Sequence, residues 1–346
     1  MSLGRLAGMP RVRLGGGVTP LERLGHLSRV NSGAALWAKR DDMQGLAFGG
    51  NKVRQLEYYF GAAEAEGADT VLITGAVQSN FCRLTAAFAA KLGMACHIQQ
   101  EERVATNDPL YRESGNVLVE KLMGAALHSF PAGEDEAGAD ANLEAIADGL
   151  RAEGRKPYVI HLAPGHPPLG ALGYVDCAVE LLEQLDAQGV AIDHIAIPSG
   201  SGATHGGFLF GMRAMGSDIP VTGYCVRRAA SLQKPRIERR CDEIAELLGV
   251  ENPVRPEDVV VNDRFLIPGY GKINLPTERA IRLGARTEAL MLDPVYSGKC
   301  MAGALNIAGN RPEGENVLFI HTGGTPAIFA YAGALDGVTS HRMDAA

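Results

Sequence analysis

The chain has 346 residues, 46% hydrophobic and 21% charged, with a formal net charge of −7, a makeup that suits a globular protein large enough for two domains. The negative charge disfavours nucleic acid and anionic membranes as partners. No run of eighteen apolar residues marks a membrane span, and Met1 to Pro10 lacks the apolar stretch of a signal peptide, which points to the cytoplasm.

The elements alternate between short β-branched runs and longer helical patterns. After a first strand, Leu36–Arg40, comes Gly49-Gly50-Asn51-Lys52, on the threshold of a helix over Gln55–Glu66. Glycines before a helix start let a ligand approach closely, and with only eight lysines against twenty-five arginines a lysine there is a specific choice. Its amine can form a Schiff base with a carbonyl cofactor, which arginine cannot do. Taken alone, Lys52 reads first as a surface lysine at a helix end, and only the rest of the sequence turns that reading round. A strand over Thr70–Thr74 leads through Gly75-Ala76-Val77-Gln78-Ser79-Asn80 into a helix, Ser79–Leu92. Ser79 suits an N-cap, while its hydroxyl and the free N–H groups of Asn80 and Phe81 suit a substrate carboxylate; the two roles compete for one hydroxyl.

Strands over Ala95–Gln99, Ala126–Phe130 and Tyr158–Leu162 follow, with helices over Ser114–Leu122 and Asn142–Ala152 and a polar surface loop over Ala132–Ala141. Pro164-Gly165-His166-Pro167-Pro168 breaks the chain and reads as a domain crossover. Beyond it a helix, Leu169–Ala187, precedes the strand His194–Pro198 and the loop Ser199-Gly200-Ser201-Gly202-Ala203-Thr204, which opens a helix over Thr204–Met215. Strand, small-residue loop and helix N-terminus together make a phosphate site, to which Ser201 and Thr204 add hydroxyls. The loop lacks the terminal lysine of an ATP-binding P-loop, and a nucleotide-dependent enzyme built on it stays open as an alternative. Further strands are Val221–Val226, Val259–Asn262 and Val317–Thr322, with helices over Arg236–Leu248, Thr277–Leu290 and Lys299–Ala308. The last strand runs into His321-Thr322-Gly323-Gly324-Thr325-Pro326, either a turn or a wall of the site. Such alternation predicts an α/β fold with parallel sheets covered by helices.

The six cysteines (Cys82, Cys96, Cys177, Cys225, Cys241, Cys300) include no close pair, which fits a reducing cytosol and argues against a disulfide framework. None of the nine histidines pairs with another at metal-ligand spacing with an acid between, so no catalytic metal is expected.

Taken in order, Lys39-Arg40-Asp41-Asp42, Gly49 to Lys52, Gln78-Ser79-Asn80, Ser199 to Thr204 and Asp293-Pro294-Val295-Tyr296-Ser297-Gly298-Lys299 resemble one family from about Pro10 to Tyr331. They look like the pyridoxal-phosphate enzymes that include 1-aminocyclopropane-1-carboxylate deaminase, D-cysteine desulfhydrase and L-cysteate sulfo-lyase. The resemblance implies the tryptophan synthase β-like fold (fold type II), with two open, mostly parallel twisted sheets flanked by helices. It implies a homodimer, with pyridoxal 5'-phosphate lying between a large domain (1–54 and 164–346) and a small one (55–163). Lys52 would carry the Schiff base beside Asn51, Ser79 would contact substrate and relay a proton, and Asn80 would bond the cofactor's ring oxygen. Gly200, Ser201, Gly202, Ala203 and Thr204 would cradle the phosphate, Tyr270 and Tyr296 match two active-site tyrosines, and Ser297 falls where a side chain meets the pyridine nitrogen.

The activity implied is α,β-elimination from a small β-substituted amino acid, giving a 2-oxo acid and ammonia. The cyclopropane-carboxylate deaminases carry glutamate where Ser297 stands. A neutral hydroxyl makes a weaker electron sink, which suffices for a good leaving group. D-cysteine is therefore the first expected substrate, ahead of L-cysteate and 1-aminocyclopropane-1-carboxylate. Phe81 replaces the histidine common in the sulfur-releasing members and would form an apolar wall of the substrate pocket. Lys272 follows Tyr270 either as a loop lysine or as a charge for an anionic leaving group. A catalytically silent binding protein on the same fold is disfavoured by the presence of Lys52, Ser79 and both tyrosines.

Overall fold

The computed structural model describes residues 3–163 and 165–336. Pro164 at the head of the expected chain break, and the last ten residues of the expected large domain, lie outside these.

In chain order the elements are β1 (Leu21–Arg23), α1 (Gly25–Asn31), β2 (Ala35–Lys39), α2 (Lys52–Ala65), β3 (Thr70–Ala76), α3 (Asn80–Leu92), β4 (Ala95–Glu101), α4 (Pro109–Glu113), α5 (Gly115–Leu122) and β5 (Ala126–Phe130). Then come α6 (Glu136–Ala152), β6 (Pro157–Ile160), α7 (Leu169–Gln188), β7 (His194–Ser199), α8 (Ala203–Ala214), β8 (Val221–Cys225) and α9 (Ala230–Leu248). The chain continues through β9 (Val260–Asn262), α10 (Leu275–Glu288), α11 (Ser297–Gly309), β10 (Asn316–Ile320), α12 (Ala327–Ala330) and α13 (Ala332–Asp336).

The strands form two sheets. A six-stranded sheet runs β1-β2-β10-β7-β8-β9 and a four-stranded one β5-β4-β3-β6. Every pair is parallel except β1 with β2. Strands buried on both faces must be apolar throughout, as Ile195-Ala196-Ile197 of β7 and Val317 to Ile320 of β10 are. One face of the larger sheet packs on α7, α8 and α9 through residues such as Leu181, Phe208 and Ile244. The other packs on α1, α10 and α11 through Leu27, Ile281 and Met301. The smaller sheet holds α2 and α3 on one face and α6, through Leu143 and Ala147, on the other.

The strands of the smaller sheet fall between residues 70 and 160. The domain boundary expected at residue 55 falls inside α2, which packs Val53 and Phe60 against the smaller sheet and Tyr58 against α7.

Three expectations need correction. The surface loop expected over Ala132–Ala141 is helical from Glu136, because Asp135 accepts the Gly138 N–H at 2.9 Å and caps α6. Helix α9 begins at Ala230, six residues before the expected Arg236, and Pro235 sits inside it; the Ala230 N–H finds Asp263 Oδ2 at 2.8 Å, a partner no local pattern reveals. The three-residue β1 was not expected at all.

Among the described residues no helix is long and apolar enough to cross a membrane.

Candidate active site

The carboxyl ends of β3, β4, β7, β8 and β10 converge on one cavity between the two sheets, the place where open α/β sheets hold ligands. Two glycine pairs stand directly beside Asn51, Lys52 and Thr322 of its lining. Gly49 and Gly50 have φ of +61° and +114°, and Gly323 and Gly324 have +83° and +101°. A Cβ on Gly50 would stand 2.9 Å from the Thr322 carbonyl oxygen, and one on Gly323 would stand 2.7 Å from Gly50 Cα. The two glycine pairs therefore need each other, and the Asn51 N–H donates to Thr322 O at 3.1 Å across the contact. The His321 to Pro326 segment, left open between turn and wall, supplies Thr322 to the cavity.

Lys52 opens α2 just beyond the first of these pairs. Its Nζ donates to Gln55 Oε1 at 3.1 Å and lies 4.7 Å from the centre of the Phe81 ring. Burial lowers its pKa to about 7, since an ammonium in an apolar pocket loses its hydration. Behind it, Arg54 of α2 donates to Asp41 at 3.0 and 3.1 Å and to Glu180 of α7 at 2.8 Å. Tyr174 adds a 2.6 Å bond to Asp41, and Lys39 pairs with Glu180. Burial alone would raise the Asp41 carboxyl, but Arg54 overrides it and holds it low.

On the smaller sheet, Ser79 caps α3: its Oγ accepts the N–H groups of Phe81 at 3.2 Å and Cys82 at 3.3 Å. A capping hydroxyl uses its lone pairs, so its O–H is left to donate into the cavity. The cap and substrate roles, which looked like rivals, use different halves of one group. Asn80 Oδ1 accepts from Asn116 Nδ2 at 3.0 Å, which turns the Asn80 amide N–H₂ toward the cavity. Asn116 is itself held by Gln78, which accepts its backbone N–H at 2.9 Å.

The Gly200-Ser201-Gly202 turn leads into α8, whose Gly206 N–H is bonded to Gly202 O at 2.7 Å. The N–H groups of the first helical turn before it, Ala203 to His205, lie at the end where helices lack carbonyl partners. Gly202 has a φ of +102°, a conformation suited to glycine. Asn51 Nδ2 and Gln55 Nε2 both donate to Thr204 Oγ1, at 2.8 and 2.7 Å, tying the lysine turn to this loop. Gln233 Nε2 holds Ser199 Oγ at 2.9 Å and Gly200 O at 3.0 Å. Such a preset nest of N–H donors fits a phosphate dianion.

Across the cavity the Tyr270 and Tyr296 hydroxyls share a 2.7 Å hydrogen bond. Burial raises both; Arg103 works against it without prevailing, and Tyr296 goes well above the usual phenol value. Both therefore stay protonated at neutral pH.

Of the expected residues, Lys52, Asn51, Ser79, Asn80, Phe81, Gly200, Ser201, Gly202, Thr204, Tyr270 and Tyr296 line the cavity, while Ala203 and Ser297 do not. Ser297 is fully buried. Its Oγ donates to Asp293 Oδ1 at 2.6 Å and accepts the Asp293 N–H at 2.7 Å. Its one O–H is spent closing the turn into α11. Lys272 also lies outside the cavity lining.

Sequence reading missed Arg103, Glu101, Glu136, Arg227 and Arg236, all on the cavity wall. Arg103 lies just past β4, held by Glu101 through Nε at 2.9 Å and Nη2 at 2.7 Å. Its position beyond the carboxyl end of a strand was the available signal.

A two-sheet α/β enzyme with a phosphate nest and a low-pKa lysine beside a junction of two glycine pairs is the class that these observations define. The sequence matches the family described as pyridoxal-phosphate dependent enzyme over residues 12–323, and the chain belongs to that family. It is 39% identical over 333 residues to a D-cysteine desulfhydrase of Salmonella choleraesuis (strain SC-B67), covering 96% of this chain and 99% of that one. It is 40% identical over 329 residues to a D-cysteine desulfhydrase of Serratia proteamaculans (strain 568), covering 94% and 97%. The crystal structure of an ACC deaminase homologue superposes with a TM-score of 0.85 at 37% identity, covering 96% and 97% of the two chains. An O-ureido-L-serine synthase, 19% identical with a TM-score of 0.63, shares the fold. The enzyme uses pyridoxal phosphate, and the residues just described fit it: Lys52 for its aldehyde, the α8 nest for its phosphate and the Asn80 amide for its ring oxygen.

Proposed function

We propose that this enzyme eliminates the β-substituent of a small amino acid to give a 2-oxo acid and ammonia, with D-cysteine as substrate and sulfide and pyruvate as products. The observation that carries this reading is the placement of Lys52 Nζ 4.7 Å from the centre of the Phe81 ring, in a cavity lined also by Ser79, Asn80 and the hydrogen-bonded Tyr270–Tyr296 pair. The curated relatives at 39–40% identity over nearly the whole chain support the same substrate.

Bound pyridoxal phosphate supplies a carbonyl for the substrate amine and a conjugated ring that accepts electrons when the Cα–H bond breaks. The chain's residues do the rest. Ser79 O–H and the Asn80 N–H hold the substrate carboxylate, the Phe81 N–H that was also expected there being taken by the Ser79 cap, and Lys52 Nζ takes the Cα proton as general base. The Tyr pair, both hydroxyls protonated, gives a proton to the sulfur as the Cβ–S bond breaks. The freed enamine tautomerises and water hydrolyses it to pyruvate and ammonia. The reading extends to a cytoplasmic homodimer: all six cysteines are free and buried, in keeping with a reducing compartment, and the dimer is checked by sedimentation.

A second reading, L-cysteate with release of sulfite, is favoured by one observation. Arg103 spends Nε and Nη2 on Glu101, and Nη1 has no hydrogen bond to a described residue, so a guanidinium N–H beside both tyrosines is available for an anionic β-substituent. The deciding experiment supplies D-cysteine, L-cysteate and 1-aminocyclopropane-1-carboxylate and measures sulfide, sulfite and 2-oxo acid. The highest kcat/KM on D-cysteine, with sulfide equal to pyruvate, supports the main reading; sulfite from L-cysteate moves the enzyme to the second. Turnover of the cyclopropane substrate alone overturns both.

A further inference from the structure

Beside the cofactor cavity, three side chains from separate segments meet. Asp140 lies on α6, His161 directly follows β6, and His166 lies in the connection to α7. Asp140 Oδ1 is 3.5 Å from His161 Nδ1, and Asp140 Oδ2 is 3.7 Å from His166 Nε2. One ligand atom from each residue falls within 4.8 Å of the others. The two separations from Asp140 are close to those between neighbouring ligands of a tetrahedral ion with bonds of about 2.0–2.1 Å, and the two rings must shift to bring their nitrogens equally close.

The hydrogen bonding shows what is missing. His161 Nε2 lies 2.9 Å from Glu144 Oε1, so the ring donates Nε2–H to that carboxylate. In the neutral ring this leaves Nδ1 as a lone pair, and this buried nitrogen makes no hydrogen bond of normal geometry. It nevertheless faces a carboxylate oxygen. Two acceptors facing each other repel unless a proton or a cation lies between them; Asp140 and Glu144 together raise the His161 pKa, so an ion bound here takes the place of that proton. A histidine that donates one ring N–H to a carboxylate and presents the other nitrogen unpaired has the arrangement of a metal ligand with its outer-shell support.

We propose that Asp140, His161 and His166 bind a divalent transition-metal ion. Two imidazoles and one carboxylate suit zinc or nickel, with solvent completing the coordination. His166, the most exposed of the three at 40%, marks the side from which an ion enters. The imidazole rings are stacked at 3.8 Å and 8°, and an ion bonding both must turn them out of parallel so that their lone pairs converge. The site is separate from the chemistry, since neither histidine lines the cofactor cavity. Asp140 does line it, so the ion would fasten α6 to the segment after β6 at the cavity's rim. The absence of a catalytic metal expected from histidine spacing does not bear on such a site, whose ligands come together only in the fold.

The test is calorimetric titration of chelator-treated holoenzyme with zinc chloride at about pH 8, alkaline to ordinary histidine titration, with bound metal counted after dialysis. The expected result is one ion per chain. Glu144→Gln should weaken binding about 10–100-fold, and His166→Ala, which removes a ligand, should weaken it further. Each variant is first checked for a wild-type melting temperature and cofactor absorbance, so that loss of binding is not loss of fold. A wild-type enzyme that takes up no stoichiometric ion overturns the proposal. So does zinc affinity unchanged in both His166→Ala and Asp140→Asn.

Discussion

Burial of a single amine sets the chemistry at the residue scale. With its pKa lowered to about 7, Lys52 is half neutral at that pH, whereas an ordinary lysine stays protonated to beyond pH 10. Only the neutral amine attacks an aldehyde. Capture of added pyridoxal phosphate by apoenzyme should therefore accelerate as pH rises through about 7 and level off above it, followed by stopped-flow absorbance; a midpoint near 10 would refute the assignment. Lys52→Ala should lose the visible band of bound cofactor and about 10²–10⁴-fold in turnover. For Ser79, alanine removes both the cap, worth about 1 kcal/mol, and the free O–H. Melting temperature and KM should change together, and an unchanged KM would leave only the cap. Lys52 and Ser79 were legible because glycine before a helix start, and serine at one, are local signals. Arg103 was not, because its meaning depends on β4 ending at the cavity.

At the scale of elements, the turn into α11 is closed by Asp293, whose carboxylate also accepts the Val295 and Tyr296 N–H groups, both at 2.9 Å. Tyr296 is positioned by that turn, with Ser297 as its buckle. Ser297→Ala should cost about 1–3 kcal/mol, seen in the denaturation midpoint, and should loosen Tyr296. If activity per folded molecule falls while stability holds, the residue acts at the cofactor instead, as the resemblance implied. Helices α3, α7 and α8 were readable from the Ser79 cap, the proline-rich break before Leu169 and the small-residue loop before Thr204. The starts of α6 and α9 were not. An acid- and glycine-rich stretch imitates a loop, and a proline imitates a helix stop, until a cap from Asp135 or Asp263 decides otherwise.

For the whole molecule, the two sheets meet across the cavity mouth through charge. Glu136 of α6 bonds Arg227 at 2.9 Å and Arg236 at 3.1 Å and pairs with Arg228. Burial alone would raise the Glu136 carboxyl, but Arg236 and its neighbours hold it low. Glu136→Gln weakens this clamp, so KM should change roughly two- to five-fold with kcat little altered, and the salt dependence of KM should flatten. A KM with wild-type salt dependence would show that the clamp does not gate entry. The α/β class and two-sheet plan were legible from strand–helix alternation, whereas the strand order was not, because neighbours in a sheet need not be neighbours in the chain. That order governs how the enzyme is made. The final strand, β10, sits between β2 and β7, and the loop after it carries Gly323 against Gly50. During synthesis, the lysine emerges from the ribosome early, but the glycine pair beside it has no partner until almost the last segment threads into the middle of the sheet. A nascent chain halted before Asn316 should stay colourless in the presence of cofactor, so release of the finished polypeptide, not synthesis of its lysine, starts the clock on the holoenzyme.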